Sequence, residues 1–196
     1  MARKKDPLEA YKAKRDLHRS LEPSGGRRKR GSPPVFVAQK HDASTLHYDF
    51  RLQVGDVLKS WAVPKGPSTN PKDKRLAMAV EDHPLDYGDF EGVIPEGQYG
   101  AGAVIVWDAG PYENRTRRDD REVPIDRALA DGHAVVELHG EKLRGAYALT
   151  RTGGSDGRER WLLVKVRDEG ADARRNPVST QPRSVLSGRT VEEMTG

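Results

Sequence analysis

In the run LHYDFRL, residues 46–52, apolar and polar side chains alternate without a break. A strand sends successive side chains to opposite faces. Leu46, Tyr48, Phe50 and Leu52 therefore form an apolar face that demands burial, and His47, Asp49 and Arg51 form the other. A solvated strand face is mostly Lys, Glu, Thr and Ser. This one instead aligns two metal-ligating side-chain types and a guanidinium at two-residue spacing. Upstream, FVAQKHDAST reads as a second strand joined by a turn, and it brings Lys40 and His41 beside the first. The arrangement points to chemistry.

Similar runs recur at 35–40, 57–63, 75–81, 102–107, 133–139, 144–152 and 160–166, separated by turn chemistry such as PKGPS, EGQYG and HGEK. Trp61, Trp107 and Trp161 each belong to one and read as core fillers. The one later helix is IDRALAD, stopped by Gly132. So many short strands predict a mainly β fold, a compact closed antiparallel β-barrel of about eight strands, because closure removes exposed edges. The glycines of EGQYGAG lead into the strand AVIVWD and not into a helix, which excludes a dinucleotide loop and marks a barrel corner. Residues 168–196 are polar and free of aromatics, and are expected as an extended, flexible tail. The domain division is thus 1–34 as an arm, 35–167 as the barrel and 168–196 as the tail.

Charge is concentrated in the arm. Residues 1–30 carry eleven Lys or Arg against four acids, and the remainder carries 23 against 26. The pI near 9.3 is therefore a property of the arm. Its end, Arg27-Arg28-Lys29-Arg30, suits a phosphate backbone and equally suits a solvated tail. Asp6, Pro7 and Glu9 read as an N-cap, a first-turn proline and a capping-box acid. With Leu8, Tyr11, Ala13 and Leu17 they predict a helix over about 7–19 that docks on the barrel, bringing Arg15, Asp16 and Glu22 near whatever it covers. Residues 22–34 read as linker.

The absence of cysteine excludes a disulfide framework, a thiolate nucleophile and a Cys-based zinc site. No apolar run approaches the ~20 residues of a membrane span, and the N-terminus has no signal-peptide core. The expected compartment is the cytoplasm, the expected state a monomer without membrane contact. A second constellation follows in RLAMAVEDHPLDYGDFEG, where Arg75, Ala77, Ala79 and Glu81 share a strand face and His83, Asp86 and Tyr87 occupy the turn after it. Lys65 follows another strand and reads as a solvated lysine, or as a phosphate ligand if it points inward. His18, His133 and His139 read as structural or surface groups.

The runs QKHDASTLHYDFRL, SWAVPKGPS, DHPLDYGDFEGVIPEGQYGAG and HGEKLRGAYAL, in that order, closely resemble the 3′-phosphoesterase module of bacterial DNA ligase D over residues 7–167. PRSVLSGRTVEEM is similar to the segment leading into the ligase module, so a free-standing member and an excised module both fit. The resemblance implies a β-barrel that removes a 3′-terminal ribonucleoside to leave a 3′-phosphate, then hydrolyses that phosphate to a ligatable 3′-OH during end joining. It implies manganese held by His41, His47 and Asp49, with Arg51, His83 and Tyr87 at phosphate-binding and catalytic positions. It further implies Arg15, Asp16, Glu22, Gln39, Lys65, Arg75 and Glu81 as supporting positions. The implied partners are the 3′ ends of DNA or DNA/RNA primer–templates at the nucleoid, with ligase, polymerase and Ku-like proteins in trans.

The residues allow the same chemistry on their own. Two imidazoles and a carboxylate leave coordination positions open, and ligand type alone does not choose among manganese, cobalt and zinc. Arg51 could clamp a phosphate oxygen, and His83 could donate a proton to the leaving oxygen or stabilise developing charge, with Tyr87 bonding the phosphate or positioning His83. Two other functions remain open on sequence. The triad could hold Fe(II) in a non-haem oxygenase, marked by iron- and oxygen-dependent turnover. A non-catalytic adaptor could bind nucleic-acid ends through the arm, marked by absent turnover.

Overall fold

The alternation that opens the sequence is realised in a ring of strands. The structure, a computed structural model, describes residues 6–25 and 31–196, so the basic run at 27–30 lies outside the described residues. After a short helix α1 (Glu9–Ala13) come β1 (Val35–Asp42), β2 (Leu46–Val54), β3 (Val57–Val63) and β4 (Arg75–Pro84), then a 3-10 turn over Leu85–Asp89. They are followed by β5 (Gly92–Ile94), β6 (Gly102–Asn114), β7 (Arg117–Arg118), β8 (Arg121–Glu122) and α2 (Ile125–Asp131). The chain ends with β9 (His133–His139), β10 (Arg144–Ser155), β11 (Arg158–Lys165), α3 (Pro177–Thr180) and α4 (Val191–Thr195). Pairing runs β1-β2-β3-β4-β11-β10-β9-β6 and returns from β6 to β1, a closed antiparallel ring of eight strands. Among the described residues no helix is long and apolar enough to cross a membrane.

The apolar strand faces fill the ring. Phe36, Phe50, Trp61, Trp107, Tyr147 and Trp161 belong to one buried cluster, with the Trp61 and Trp161 rings edge to face at 5.7 Å. Gly132 ends α2 at φ +89°, the left-handed stop its type favours. A second cluster lies outside the ring, over β3 and β6: Tyr11 of α1, Leu58, Leu85, Tyr87, Phe90, Ile94 and Val104. The outer face of β3 and β4 is thus roofed by the N-terminal segment and the 3-10 turn.

Three expectations need correction. The N-terminal helix spans Glu9–Ala13 and not 7–19, and no side chain caps it. The Asp6 carboxylate accepts from Leu8 N at 2.9 Å, and Asp16 turns the chain by accepting from His18 N at 3.1 Å while its carbonyl takes Arg19 N and Ser20 N at 3.0 Å. Short polar side chains compete in this way with helix propagation. Second, His83 lies within β4 and not in a turn beyond it. Opposite Ser60 and Leu58 of β3 stand Val80 and His83, so β4 carries one extra residue. This bulge re-aims the strand. Ala77 packs in the ring interior, whereas Val80, Glu81 and His83 line an external pocket.

Third, residues 168–196 are packed and not a flexible tail. Val185 N donates to Val106 O at 2.9 Å, the Trp107 indole donates to Gln181 O at 2.7 Å, and Val191 of α4 is buried against Ala103 and Ile105. α4 begins with a capping box between Thr190 and Glu193.

Candidate metal centre

The β1–β2 hairpin sets His41 directly opposite His47 and Gln39 opposite Asp49. Opposed residues share a face, so the register alone gathers the triad on the outer surface of the ring. Lys40 takes the other face of β1 and is buried there. One ligand atom from each of His41, His47 and Asp49 lies within 4.8 Å of the others. His41 Nδ1 is 3.5 Å and His47 Nε2 3.6 Å from the same Asp49 oxygen.

The other nitrogen of each ring is tied to a carbonyl. His41 Nε2 donates to Gly100 O at 2.7 Å, and His47 Nδ1 donates to Thr45 O at 2.9 Å. A carbonyl only accepts, so these bonds fix the tautomers and leave His41 Nδ1 and His47 Nε2 with free lone pairs toward Asp49. Outer-shell carbonyls orient metal-binding imidazoles in this manner. The donor set fits a divalent transition metal. Burial works against the protonated form of His47, but the nearby Asp49 carboxylate and the Thr45 carbonyl together outweigh it and raise the ring above its ordinary value. Burial would likewise raise Asp49; the Arg51 charge and both imidazoles instead hold it well below the usual carboxylate range.

Arg51 is 2% exposed, and each of its nitrogens has a direction. Nε donates to Gln39 Oε1 at 2.7 Å, Nη1 to Ser60 Oγ at 2.8 Å, and Nη2 stands 3.4 Å from Asp49. Gln39 is fixed in turn by donating to Tyr87 O and Phe90 O. The guanidinium lies over the Tyr87 ring at 4.9 Å, and the Tyr87 hydroxyl donates to Glu22 at 3.2 Å. Burial pushes the Tyr87 phenol up, away from titration.

The N-terminal segment supplies the second cation. Arg15 donates to Glu22 at 2.8 Å and to Glu81 at 2.9 Å, and its Nη2 faces His83 Nε2 at 3.1 Å. Since His83 Nδ1 donates to Glu81 O at 2.9 Å, Nε2 is the acceptor of the Arg15 bond. Burial would raise Glu81, but hydrogen bonds from Lys14 and Arg15 outweigh it and hold the carboxyl below its ordinary range.

Burial first, then the Arg51 and Arg15 charges, keep His83 well below its ordinary 6.5 and therefore neutral. The unfolded chain binds a proton there near pH 6.5 and the folded chain does not. Stability is accordingly complete above that pH and falls below it, by up to about 1.4 kcal/mol per pH unit until the folded value is reached. His83→Gln is expected to flatten this slope. Urea midpoints of both proteins at pH 7.5 and 5.5 measure it, and parallel pH dependences would refute the assignment.

These groups wall a cavity of about 270 Å³. It gathers Arg15, His41, His47, Asp49, Arg51, Glu81, His83 and Tyr87; Gln39 and Glu22 stand behind, bonded to Arg51 and Arg15. Three expected supporting residues do not reach it. Lys65 is exposed in the turn after β3, and Asp16 is exposed in its own turn. Arg75 sits at the start of β4, 3.4 Å from Asp73 and on the far side of the bulge. Sequence reasoning missed Ser60, Tyr99 and Gly100. Ser60 lies directly across from Arg51, a register partner visible only once β2 and β3 are paired. Tyr99 and Gly100 stood inside the motif read as a barrel corner.

Comparison with known proteins agrees with this geometry. The sequence model of a family described as the DNA Ligase D 3′-phosphoesterase domain matches residues 39–151. The chain is 49% identical over 189 residues, 94% of its length, to the multifunctional non-homologous end joining protein LigD of Pseudomonas aeruginosa, of which it covers 22%. It is 42% identical over 165 residues, 84% of its length, to the multifunctional non-homologous end joining DNA repair protein LigD of Mycobacterium tuberculosis, of which it covers 20%. The chain thus spans about a fifth of the length of these relatives.

Proposed function

The chain belongs to the DNA ligase D 3′-phosphoesterase domain family, and from that premise we propose that it is a metal-dependent hydrolase that heals DNA 3′ ends. It removes a 3′-terminal ribonucleoside to leave a 3′-phosphate, then converts that phosphate to a 3′-OH fit for ligation. It does so in non-homologous end joining, beside a ligase, a polymerase and a Ku-like protein. Manganese is the metal of this reading. One observation carries it: a single carboxylate, Asp49, lies 3.5 and 3.6 Å from two imidazoles whose other nitrogens are tied off, and 3.4 Å from a guanidinium.

A divalent ion held by His41, His47 and Asp49 supplies Lewis-acid polarisation of the phosphoryl group and assists activation of water. The chain's residues do the rest. Arg51 spends two donors on Gln39 and Ser60, so the Nη2 side is the part of its fork left to face a phosphate oxygen. Arg15 brings a second guanidinium to the pocket, and Glu22 and Glu81 keep two of its nitrogens in place. A site with two oriented cations stabilises charge that develops on the transferred phosphoryl oxygens. His83 has its one proton on the Glu81 carbonyl and its lone pair toward Arg15. In this reading it orients Arg15 and does not carry a proton for the leaving oxygen. Tyr87 forms an apolar wall under Arg51 and braces Glu22.

The test is a 5′-labelled primer–template ending in one 3′-ribonucleotide, incubated with and without manganese. The expected result is stepwise conversion to a 3′-phosphate and then a 3′-OH, only with metal. An unchanged primer, with metal binding verified by calorimetry, would sink the phosphoesterase reading.

A further inference from the structure

We infer that the ring of Tyr99 is the platform on which the 3′-terminal base of the bound strand stacks, an inference that rests on the end-healing reading above. The cavity of about 270 Å³ falls short of the ≈ 300–1,000 Å³ that encloses a drug-sized ligand. A phosphate held at the metal site on the Nη2 side of Arg51 must therefore leave its base at the rim. Tyr99 is on that rim. It lines the cavity yet is 48% exposed, whereas Tyr11 and Tyr87 beside it are 0% and 2% exposed. Among the described residues, it is the one aromatic in the set of exposed large hydrophobic side chains.

The ring is also held in place before any strand arrives. Lys14 Nζ lies over it at 5.0 Å and Arg15 Cζ at 5.3 Å, and the ring's quadrupole attracts cations so placed. Its loop is a pair of tight turns, with Gln98 N donating to Pro95 O and Ala101 N to Gln98 O, both at 3.1 Å. Gly97 and Gly100 supply the left-handed conformations, at φ +81° and +74°. Gly100 O is the acceptor of His41 Nε2. One turn thus orients a metal-ligating imidazole through Gly100 O and projects the neighbouring Tyr99 phenol, so the distance from reacting phosphate to stacked base is set by the loop. An exposed π-face beside cations is how proteins hold single-strand bases without reading their identity. The platform therefore accepts any base and disfavours an end that lacks one.

The experiment uses a primer–template whose 3′ end is a phosphonate, with a methylene in place of the bridging oxygen so that the end binds and is not consumed. The terminal residue is 2-aminopurine in one duplex and abasic in the other; binding is measured with manganese by fluorescence and competition. Wild type and Tyr99→Trp are expected to quench 2-aminopurine and to favour the base-bearing end over the abasic one by about 5- to 100-fold. In Tyr99→Leu, which keeps apolar bulk without a π-face, both the quenching and the preference should vanish. Quenching by Tyr99→Leu equal to wild type, or a wild type with no preference between the two ends, overturns the platform. Wild type that binds neither duplex overturns the end-healing reading itself, and the platform with it.

Discussion

Arg51→Ala will lower the rate of 3′-phosphate hydrolysis by about 10²–10³, the usual cost of deleting one preorganised donor to a developing oxyanion. The same substitution strips partners from three buried groups, since Gln39, Ser60 and Asp49 all face this guanidinium. Breaking a buried ion pair from one side typically costs ~3–5 kcal/mol, so a lost activity could reflect a lost fold. Arg51→Lys separates the two. An ammonium keeps the charge near Asp49 and recovers part of the stability, but it is a point charge that cannot reach Gln39 Oε1, Ser60 Oγ and a phosphate oxygen together. Its kcat should remain at least about tenfold down while calorimetry shows metal bound. Full kcat in Arg51→Lys would mean that charge alone is needed, and that the fork geometry has no part in the reaction.

Why this side chain was visible in the sequence, and others were not, follows from the range of the interactions involved. The period-two pattern of LHYDFRL is local, and it specified the buried face from Tyr48 to Leu52 (Leu46, expected there, is exposed), the chemical face and the hairpin that opposes His41 to His47. The eight-strand ring was legible for the same reason, since each strand carries its own alternation and most of the turns a glycine or proline. The β4 bulge has no such signature. One residue without a counterpart on β3 carries His83 into the strand, and no count of apolar positions reports where a ladder slips. The N-terminal segment failed differently: a helical period and a capping motif were present, but the Asp16 turn competes with the helix and reverses the chain so that Arg15 meets Glu22. At the C-terminus, polar side chains suggested a solvated tail. What holds that segment is backbone: its carbonyls accept from the Trp107 indole and from the Lys142 ammonium. Side-chain polarity is silent about such bonds. Lys65, Arg75 and Asp16, which the resemblance implied as supporting positions, lie outside the pocket lining in this structure. The motif locates the residue in the chain, and the turn or bulge decides whether it reaches the pocket.

His47→Ala and Asp49→Asn will both abolish metal-dependent turnover, yet they should separate in stability. A ligand that binds only the folded state adds about 2.7 kcal/mol at a hundredfold excess over its Kd, so manganese should raise the wild-type Tm by roughly 5–10 °C for a chain of this size. Neither variant should show that rise, because each lacks one of the three donors that share a 4.8 Å cluster. Without metal the two differ. The His47 side chain is 23% exposed and bonds only the adjacent turn and Asp49, so its loss should leave the metal-free Tm within a few degrees of wild type. Asp49 is the one carboxylate among the side chains within ion-pair or hydrogen-bond reach of Arg51. Asp49→Asn leaves that buried guanidinium without a counter-charge and should lower the metal-free Tm by several degrees or more. Adding Arg51→Met to Asp49→Asn removes the stranded charge and should restore much of the loss while activity stays absent. Calorimetric scans of the four proteins with and without manganese decide the matter. A manganese-induced rise in Asp49→Asn equal to wild type would remove Asp49 from the ligand set. An unchanged metal-free Tm would instead show that Arg51 is neutralised elsewhere, and that the carboxylate serves the metal alone.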